Sequence, residues 1–399
     1  MKVDSKDIVF LSGVRTPFGS FGGSLKDYSA NDLGTFAGIA AMERAGVQPS
    51  DVDHVIFGNA LQTSADALYL ARHVGLRAGV PQEVPALTLN RLCGSGFQSI
   101  ITGAEQILLG QGNVMLCGGA ESMSQAPFTA RNIRWGVRFG KNDTLNDLLW
   151  DSLYDPQAKL AMGQTAEKVG AKYGVTREEA DDYGFRSQMA YKAAFEAGKF
   201  ADEIVSVQVK KRREMVDYSH DECPRMDVER AKMAKLPSVF QKDGLVTPGN
   251  ASAITDGAAA VVIAEGSWAA ERGLKPLGKL IGWGISGCDP TIMGIGPAPA
   301  TRRALADTGM SLADMDLIEV NEAFAAQYLA VEKDLGLDRS KTNVNGGAIS
   351  VGHPLAASGT RITLHLIHEL RRRGQRYGLG SACIGGGQGI AVIVEANLE

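Results

Sequence analysis

Apolar residues along this chain fall into two rhythms. Ile8-Val9-Phe10-Leu11 and His54-Val55-Ile56-Phe57-Gly58 are short apolar runs without alternation. Such runs predict strands buried on both faces. From Asn31 the pattern changes to helical spacing. Leu33, Phe36, Ala37, Ala40, Ala41 and Met42 make one apolar face, Asn31 suits an N-cap, and Gly46 suits a stop. Ser95 to Gly110 reads as a second amphipathic helix, and Val114 to Cys117 as the strand after it. Strands alternating with helices predict a layered α/β domain with mostly parallel strands.

The order recurs at a constant offset of 263 residues. Gly46 and Gly309 each end a predicted helix. Asp51-x-Asp53 corresponds to Asp314-x-Asp316, each before a strand. Ser95-Gly96 corresponds to Ser358-Gly359, each at a helix start. Matching letters in matching elements point to a duplicated fold.

Residues 122–250 break this rhythm. The stretch holding Trp135, Arg138, Lys141 and Trp150 is polar and loop-rich, and Lys210-Lys211-Arg212-Arg213 is a basic run. Either a phosphate-steering role or a solvated charged face fits that run. Ala258 to Ala264 reads as a strand returning to the core, and Pro276 opens the second half. The expected organisation is a first core from 1–121 and 251–274, an inserted loop or lid domain at 122–250, and a second core at 275–399.

Composition narrows the function. The chain has 399 residues, 41 basic against 45 acidic, for a net charge of −4. No basic excess exists to hold nucleic acid or an anionic membrane by bulk charge. No apolar run is long enough to span a bilayer. Five cysteines without a C-x-x-C pair disfavour a metal site and a disulfide framework. Together with acidic Asp4 and Asp7 before any apolar run, they predict a cytoplasmic protein. Glycine is high, 48 residues, or about 12% against a usual ~7%. That excess predicts tight turns and close backbone approach to a ligand.

Three glycine-rich turns carry the candidate chemistry. Cys93 sits in Asn90-Arg91-Leu92-Cys93-Gly94-Ser95-Gly96, where a loop meets a helix start. Free amides and the positive helix end would favour a thiolate. The alternative is a small buried hydrophobe. His353 sits between Gly352 and Pro354, a poor place for a packing residue and a good one for a base. His365 and His368 fall in a helical stretch and read as surface or core. Cys383 opens Cys383-Ile384-Gly385-Gly386-Gly387-Gln388-Gly389 after a predicted strand. No P-loop lysine follows, so the run reads as a thiol beside exposed backbone donors. Asn321 ends the strand Leu317 to Val320, either facing a ligand crevice or capping the next helix.

In these runs the chain resembles the thiolases, in the acetyl-CoA acetyltransferase and β-ketoacyl-CoA thiolase branch. The matching runs are Asn90–Gly96, Gly118–Ser124, Gly249–Ser252, Asn321–Phe324, Gly352–Pro354 and Cys383–Gly389, in family order and across essentially the whole length. The resemblance implies a five-layered αβαβα core of two duplicated halves with an inserted loop domain. It implies Cys93 as acylated nucleophile, His353 as its base and Cys383 as the second acid/base group. Asn321 would hold a water that, with His353, binds one thioester oxygen. The amides of Cys93 and Gly385 would bind the other. Leu153, Met162, Arg225, Phe240, Ser252, Ala323 and Phe324 would line the coenzyme A and pantetheine tunnel. The implied reaction is a reversible Claisen condensation of acyl-CoA thioesters, with coenzyme A as substrate or product and no metal, flavin or nicotinamide. A homotetramer built from dimers is implied as well.

Ala161 stands where many short-chain members carry His, which admits longer acyl chains. A broader-chain degradative 3-ketoacyl-CoA thiolase is therefore the main alternative. A decarboxylating ketoacyl-synthase-type enzyme would pair its Cys with two histidines, and here Asn321 and Cys383 occupy those places. A non-catalytic acyl-CoA-binding protein would be expected to have lost one of Cys93, His353 and Cys383. A redox sensor would need paired thiol spacing.

Overall fold

The computed structural model describes residues 4, 6–142 and 144–398. Nine strands form one continuous sheet: β1 Ile8–Arg15, β2 His54–Gly58, β3 Ala86–Leu89, β4 Val114–Ser122, β5 Thr255–Glu265, β6 Gly278–Gly287, β7 Leu317–Val320, β8 Tyr377–Ile384 and β9 Gln388–Ala396. Their order is β7-β8-β9-β6-β1-β5-β4-β2-β3, and Gly19–Ser20 adds a short strand against β5. The two halves of the sheet meet only where Ile8, Val9 and Phe10 pair with Leu280, Lys279 and Gly278.

Eight longer helices pack on the sheet or on the helices that cover it: α1 Ala30–Ala45, α2 Leu70–Arg77, α3 Ser95–Leu108, α4 Met162–Lys172, α5 Arg177–Glu196, α6 Pro297–Thr308, α7 Ala325–Leu335 and α8 Leu355–Arg373. Three apolar cores show the layering. A central core surrounds α3 and α8, with Phe97, Ile100, Ile362 and Leu366 packed on the inner faces of both half-sheets. A second core lies under α1 and α2, and a third under α6 and α7. Helix, sheet, helix pair, sheet and helix therefore stack as five layers. The unbroken apolar strands follow from this arrangement. In β1, Phe10 faces the central core while Val9 and Leu11 face the outer one.

The repeat offset is visible in the elements. Shifting β2 and β4 by 263 residues places them on β7 and β8, and α3 lands on α8. Gly46 and Gly309 both cap their helices in the left-handed conformation, at φ 66° and 68°. Where α3 crosses α8, a Cβ on Gly96 would lie 2.6 Å from the Thr360 nitrogen, and one on Gly359 would strike the Phe97 nitrogen. Gly96 corresponds to Gly359 and Phe97 to Thr360 under the same offset, so the two contacts are one contact seen from each half.

Two expectations are corrected. The sheet is not mostly parallel. Only β2–β3, β2–β4 and β7–β8 pair in parallel, and the five central junctions are antiparallel. In each half a returning strand, β5 or β9, inserts against the direction of its neighbours. Helix α1 is capped by Ser29, not Asn31. Ser29 and Asp32 form a reciprocal capping box, and Asn31 is buried against Asp66 and His73. The segment 122–250 carries α4, α5 and the hairpin Val207–Lys211/Glu214–Tyr218.

A buried ion cluster fastens that segment to the core. Arg15, fully buried at the end of β1, binds Glu203 at 2.8 Å and Asp221 at 2.6 and 2.9 Å. Tyr191 donates to Asp221 at 2.9 Å, and His365 of α8 lies 2.8 Å from Glu203. Removing one partner would strand a buried charge, at a cost of ~3–5 kcal/mol.

Candidate active site

The loop after β3 delivers Cys93. Asn90 Oδ1 accepts from the Leu92 amide at 2.8 Å, and Ser95 Oγ accepts from the Arg91 amide at 2.9 Å while donating to the Leu92 carbonyl at 2.7 Å. These bonds hold Leu92 at φ 47°, a left-handed conformation a leucine seldom adopts. Cys93 lies in the single 3₁₀ turn Leu92–Gly94, just before α3. Burial pushes its thiol up to about 11, and the Glu121 carboxylate adds to that. The amides of Gly385 and of Cys93 itself oppose the rise without cancelling it. The expected helix-start thiolate is thus corrected: desolvation outweighs the local donors, and the resting group is a thiol.

His353 enters from the other half. Gly352 turns the chain at φ 98°, and the His353 amide donates to the Ala253 carbonyl at 3.3 Å and to Thr255 Oγ1 at 3.1 Å. Its Nδ1 lies 2.6 Å from Ser358 Oγ, and its Nε2 lies 3.3 Å from Asn321 Nδ2. An amide nitrogen can only donate, so Nε2 is the acceptor and Nδ1 carries the proton toward Ser358. Ser358 in turn points to the Pro354 carbonyl at 3.4 Å. Burial, with the Arg361 charge adding, pushes His353 down to about 3. The imidazole is therefore neutral, and Nε2, whose lone pair accepts from Asn321 here, is the nitrogen able to take a proton.

Cys383, near the end of β8, is fully buried. Burial raises its thiol well above the ordinary range, and the neighbouring thiols of Cys93 and Cys288 add to that. Gly386 and Gly387, at φ 81° and 83°, close the hairpin from β8 to β9 and hold Gly385 beside Cys93. Asn321 does not cap α7, whose cap position is Phe324. Its amide donates to the Ser381 carbonyl at 2.8 Å, and its buried Oδ1 has no protein partner.

Cys93, His353 and Cys383 open onto one apolar cavity of about 310 Å³. Leu153, Met162, Phe240, Ser252, Ala323 and Phe324 also line it. Asn321 and Gly385 stand behind its wall, reaching it through His353 and Cys93. Arg225 lines a neighbouring cavity of about 220 Å³ that shares Ala251, Ser252 and Ala253 with the first. Sequence reasoning missed Leu149, Ile254, Met293 and Leu355 on the main cavity wall. It also missed Ser358 as a partner of His353, although the repeat had marked Ser358 as the counterpart of Ser95. Lys210 to Arg213 form the tip of the hairpin whose inner residues Val207 and Val209 pack under α1, and they line neither cavity. Among the described residues, no group of three or more His, Cys, Asp or Glu is placed to hold a metal ion.

Comparison with known proteins identifies the family. The family described as "Thiolase, N-terminal domain" matches residues 8–267, and "Thiolase, C-terminal domain" matches residues 274–396. The chain is 55% identical to the mitochondrial 3-ketoacyl-CoA thiolase of Homo sapiens, over 98% of both chains. It is 45% identical to an acetyl-CoA acetyltransferase of Syntrophomonas wolfei, over 98% of this chain and 100% of that one. The solved structure of human mitochondrial 3-ketoacyl-CoA thiolase in complex with CoA superposes with a TM-score of 0.96 at 54% identity, covering 99% of each chain. These relatives overturn the expected cytoplasmic location, because the human protein is mitochondrial by name. Free thiols mark any reducing compartment, so the cysteines never discriminated between the two. With both halves matched, more than half the residues shared with a relative over nearly the whole length, and the fold shared, the chain belongs to the thiolase family.

Proposed function

We propose that this protein cleaves 3-ketoacyl-CoA with free coenzyme A, and runs the reverse condensation of two acetyl-CoA, through an acyl-Cys93 intermediate. One observation carries the reading: two thiols and a neutral imidazole from both halves of the chain face one apolar cavity. His353 Nε2 takes the Cys93 proton as the sulfur attacks the 3-keto carbon. The amides of Cys93 and Gly385 receive the developing oxyanion. The bond between carbons 2 and 3 breaks, and Cys383 protonates the departing acetyl-CoA enolate. Coenzyme A sulfur then attacks acyl-Cys93, its proton passing to the Cys383 thiolate; His353 returns its proton to the Cys93 sulfur as the longer acyl-CoA leaves, which restores both thiols and the neutral imidazole. Asn321 Oδ1, buried and without a protein partner, is a fitting acceptor for a water near the thioester oxygen. No step in this sequence calls for a metal or redox cofactor.

Leu153, Met162, Phe240, Ser252, Ala323 and Phe324 would hold the pantetheine arm. Arg225 in the adjoining cavity would face the nucleotide end. Ala161 lines the main cavity with Leu149 and Trp150, leaving an apolar wall suited to acyl chains beyond four carbons. The broad-chain 3-ketoacyl-CoA thiolase is therefore the favoured subtype. We read residues 1–121 with 251–274, and 275–399, as the two cores, and 122–250 as the lid over the cavity.

A homotetramer needs two interfaces, and two surfaces would serve. The end strand β3 is only partly buried, with Leu87 40% exposed, and Trp135 and Phe139 stand out from the 128–145 stretch. The deciding experiment compares thiolysis of acetoacetyl-CoA and 3-ketooctanoyl-CoA by the purified protein. Turnover of both supports the broad-chain reading, turnover of acetoacetyl-CoA alone refutes it, and turnover of neither refutes the thiolase activity.

A further inference from the structure

The oxyanion site proposed above takes one amide from each half, Cys93 and Gly385. These are far apart in sequence, and their spacing must be fixed by contacts between the halves. Arg91 is built for that. Its Nη1 donates to Gln388 Oε1 at 3.0 Å, and its Nε donates to Gln98 Oε1 at 2.7 Å. Gln98 is on α3, which continues from the nucleophile turn, and its own Nε2 is fixed to Thr102 Oγ1 at 3.0 Å. Gln388 is the first residue of β9, directly after the Gly385–Gly387 turn. The planar guanidinium thus spans from the Cys93 turn of one half to the Gly385 turn of the other. The packing of Gly94, whose added Cβ would lie 2.5 Å from Ile384, gives the two turns room to approach but supplies no directional bond.

We infer that Arg91 is a positioning residue that, through Gln388, sets the distance between the Cys93 and Gly385 amides. The inference rests on the thiolase reading of the site. An oxyanion donor contributes most when its place is fixed before reaction, and displacement by about 1 Å costs ~100-fold in rate. An ammonium cannot satisfy two acceptors along the fixed directions of the guanidinium fork, so Lys is no substitute.

The test is thiolysis kinetics on the full chain with Arg91→Ala, Arg91→Lys, Gln388→Ala and the double variant R91A/Q388A. Each single variant should lose about 10- to 100-fold in kcat with KM changed less than about threefold. The double variant should lose no more than the worse single one. Melting temperatures check that each variant is folded, and Gln388→Ala alone decides the matter should both Arg91 variants fail to fold. Loss confined to KM, losses that multiply in the double variant, or a wild-type kcat in folded Gln388→Ala would overturn the positioning role. A wild-type protein without thiolysis would instead refute the thiolase reading.

Discussion

Ser358 Oγ lies 2.6 Å from Nδ1 of His353, and this contact decides which imidazole nitrogen faces the substrate. Ser358→Ala would release the ring from its tautomer. We expect kcat for thiolysis to fall by ~10- to 100-fold. Stability should fall by only about 1 kcal/mol, the net worth of one buried hydrogen bond. Steady-state rates and a thermal melt on the same variant check both, and an unchanged kcat would show that the tautomer is set elsewhere.

The division of labour between the thiols is separable. Cys93→Ser should abolish thiolysis, because a hydroxyl is a far weaker nucleophile than the thiolate His353 generates. Cys383→Ser should still accept an acyl group from acetyl-CoA and then stall at condensation. Mass spectrometry of the intact protein after mixing with acetyl-CoA reads the acylation directly. A folded Cys383→Ser protein that gains no acetyl mass contradicts the assignment.

The pH behaviour follows from burial. His353 is pushed down to about 3 by burial with Arg361 adding, so its base form persists from pH 4 upward. Cys93 is pushed up to about 11, so its thiolate fraction rises throughout the accessible range. Alkylation of Cys93 by iodoacetamide should therefore climb steadily toward high pH. An inflection near 6.5, the ordinary histidine value, would refute this electrostatic picture.

Chain length should answer to Ala161. Ala161→Phe fills the wall beside Leu149 and Met162. The kcat/KM for 3-ketooctanoyl-CoA should drop at least about tenfold more than that for acetoacetyl-CoA, the scale of discrimination a few methylenes give. Equal losses on the two substrates would place the acyl chain elsewhere.

Acid stability has its own reporter in Glu369. Burial pushes this carboxyl up, but Arg373 at 2.6 Å and Lys199 at 3.0 Å overcome it and hold it down to about 2. A depressed carboxylate stabilises the fold fully above its unfolded value of 4.5 and loses that contribution as pH falls toward 2. Glu369→Gln should lower the melting temperature by roughly 2–6 °C at pH 7. The gap to wild type should narrow below pH 4.5 and close only as pH falls through about 2. A gap as wide at pH 3 as at pH 7 would point to packing, not charge.

Much of this was legible in the sequence, for reasons that lie in particular residues. Ile8 to Leu11 and His54 to Gly58 announced doubly buried strands because both faces of the sheet are covered. The Gly46–Gly309 offset survived because a left-handed cap tolerates little else. Strand direction was hidden, since β5 pairs antiparallel with β1 and β4 only after the chain has passed through the inserted segment. The resting state of Cys93 was hidden too, because sequence shows the helix start but not the burial that outweighs it. Arg15 and Arg91 look like ordinary cations in the chain, and their partners lie in residues distant in sequence.

The glycine crossing of α3 and α8 has an evolutionary consequence. If the halves arose from one ancestral unit, the first assembly was a symmetric pair whose helices touched backbone to backbone. Such a pair would have carried the same residue at both turns. The present chain has let the turns diverge, Cys93 against Ala356 and Asn90 against His353, without disturbing the crossing beneath them. Gly96 and Gly359 are then the fossil of the pairing, and neither can accept a side chain unless its counterpart gives way in the same step.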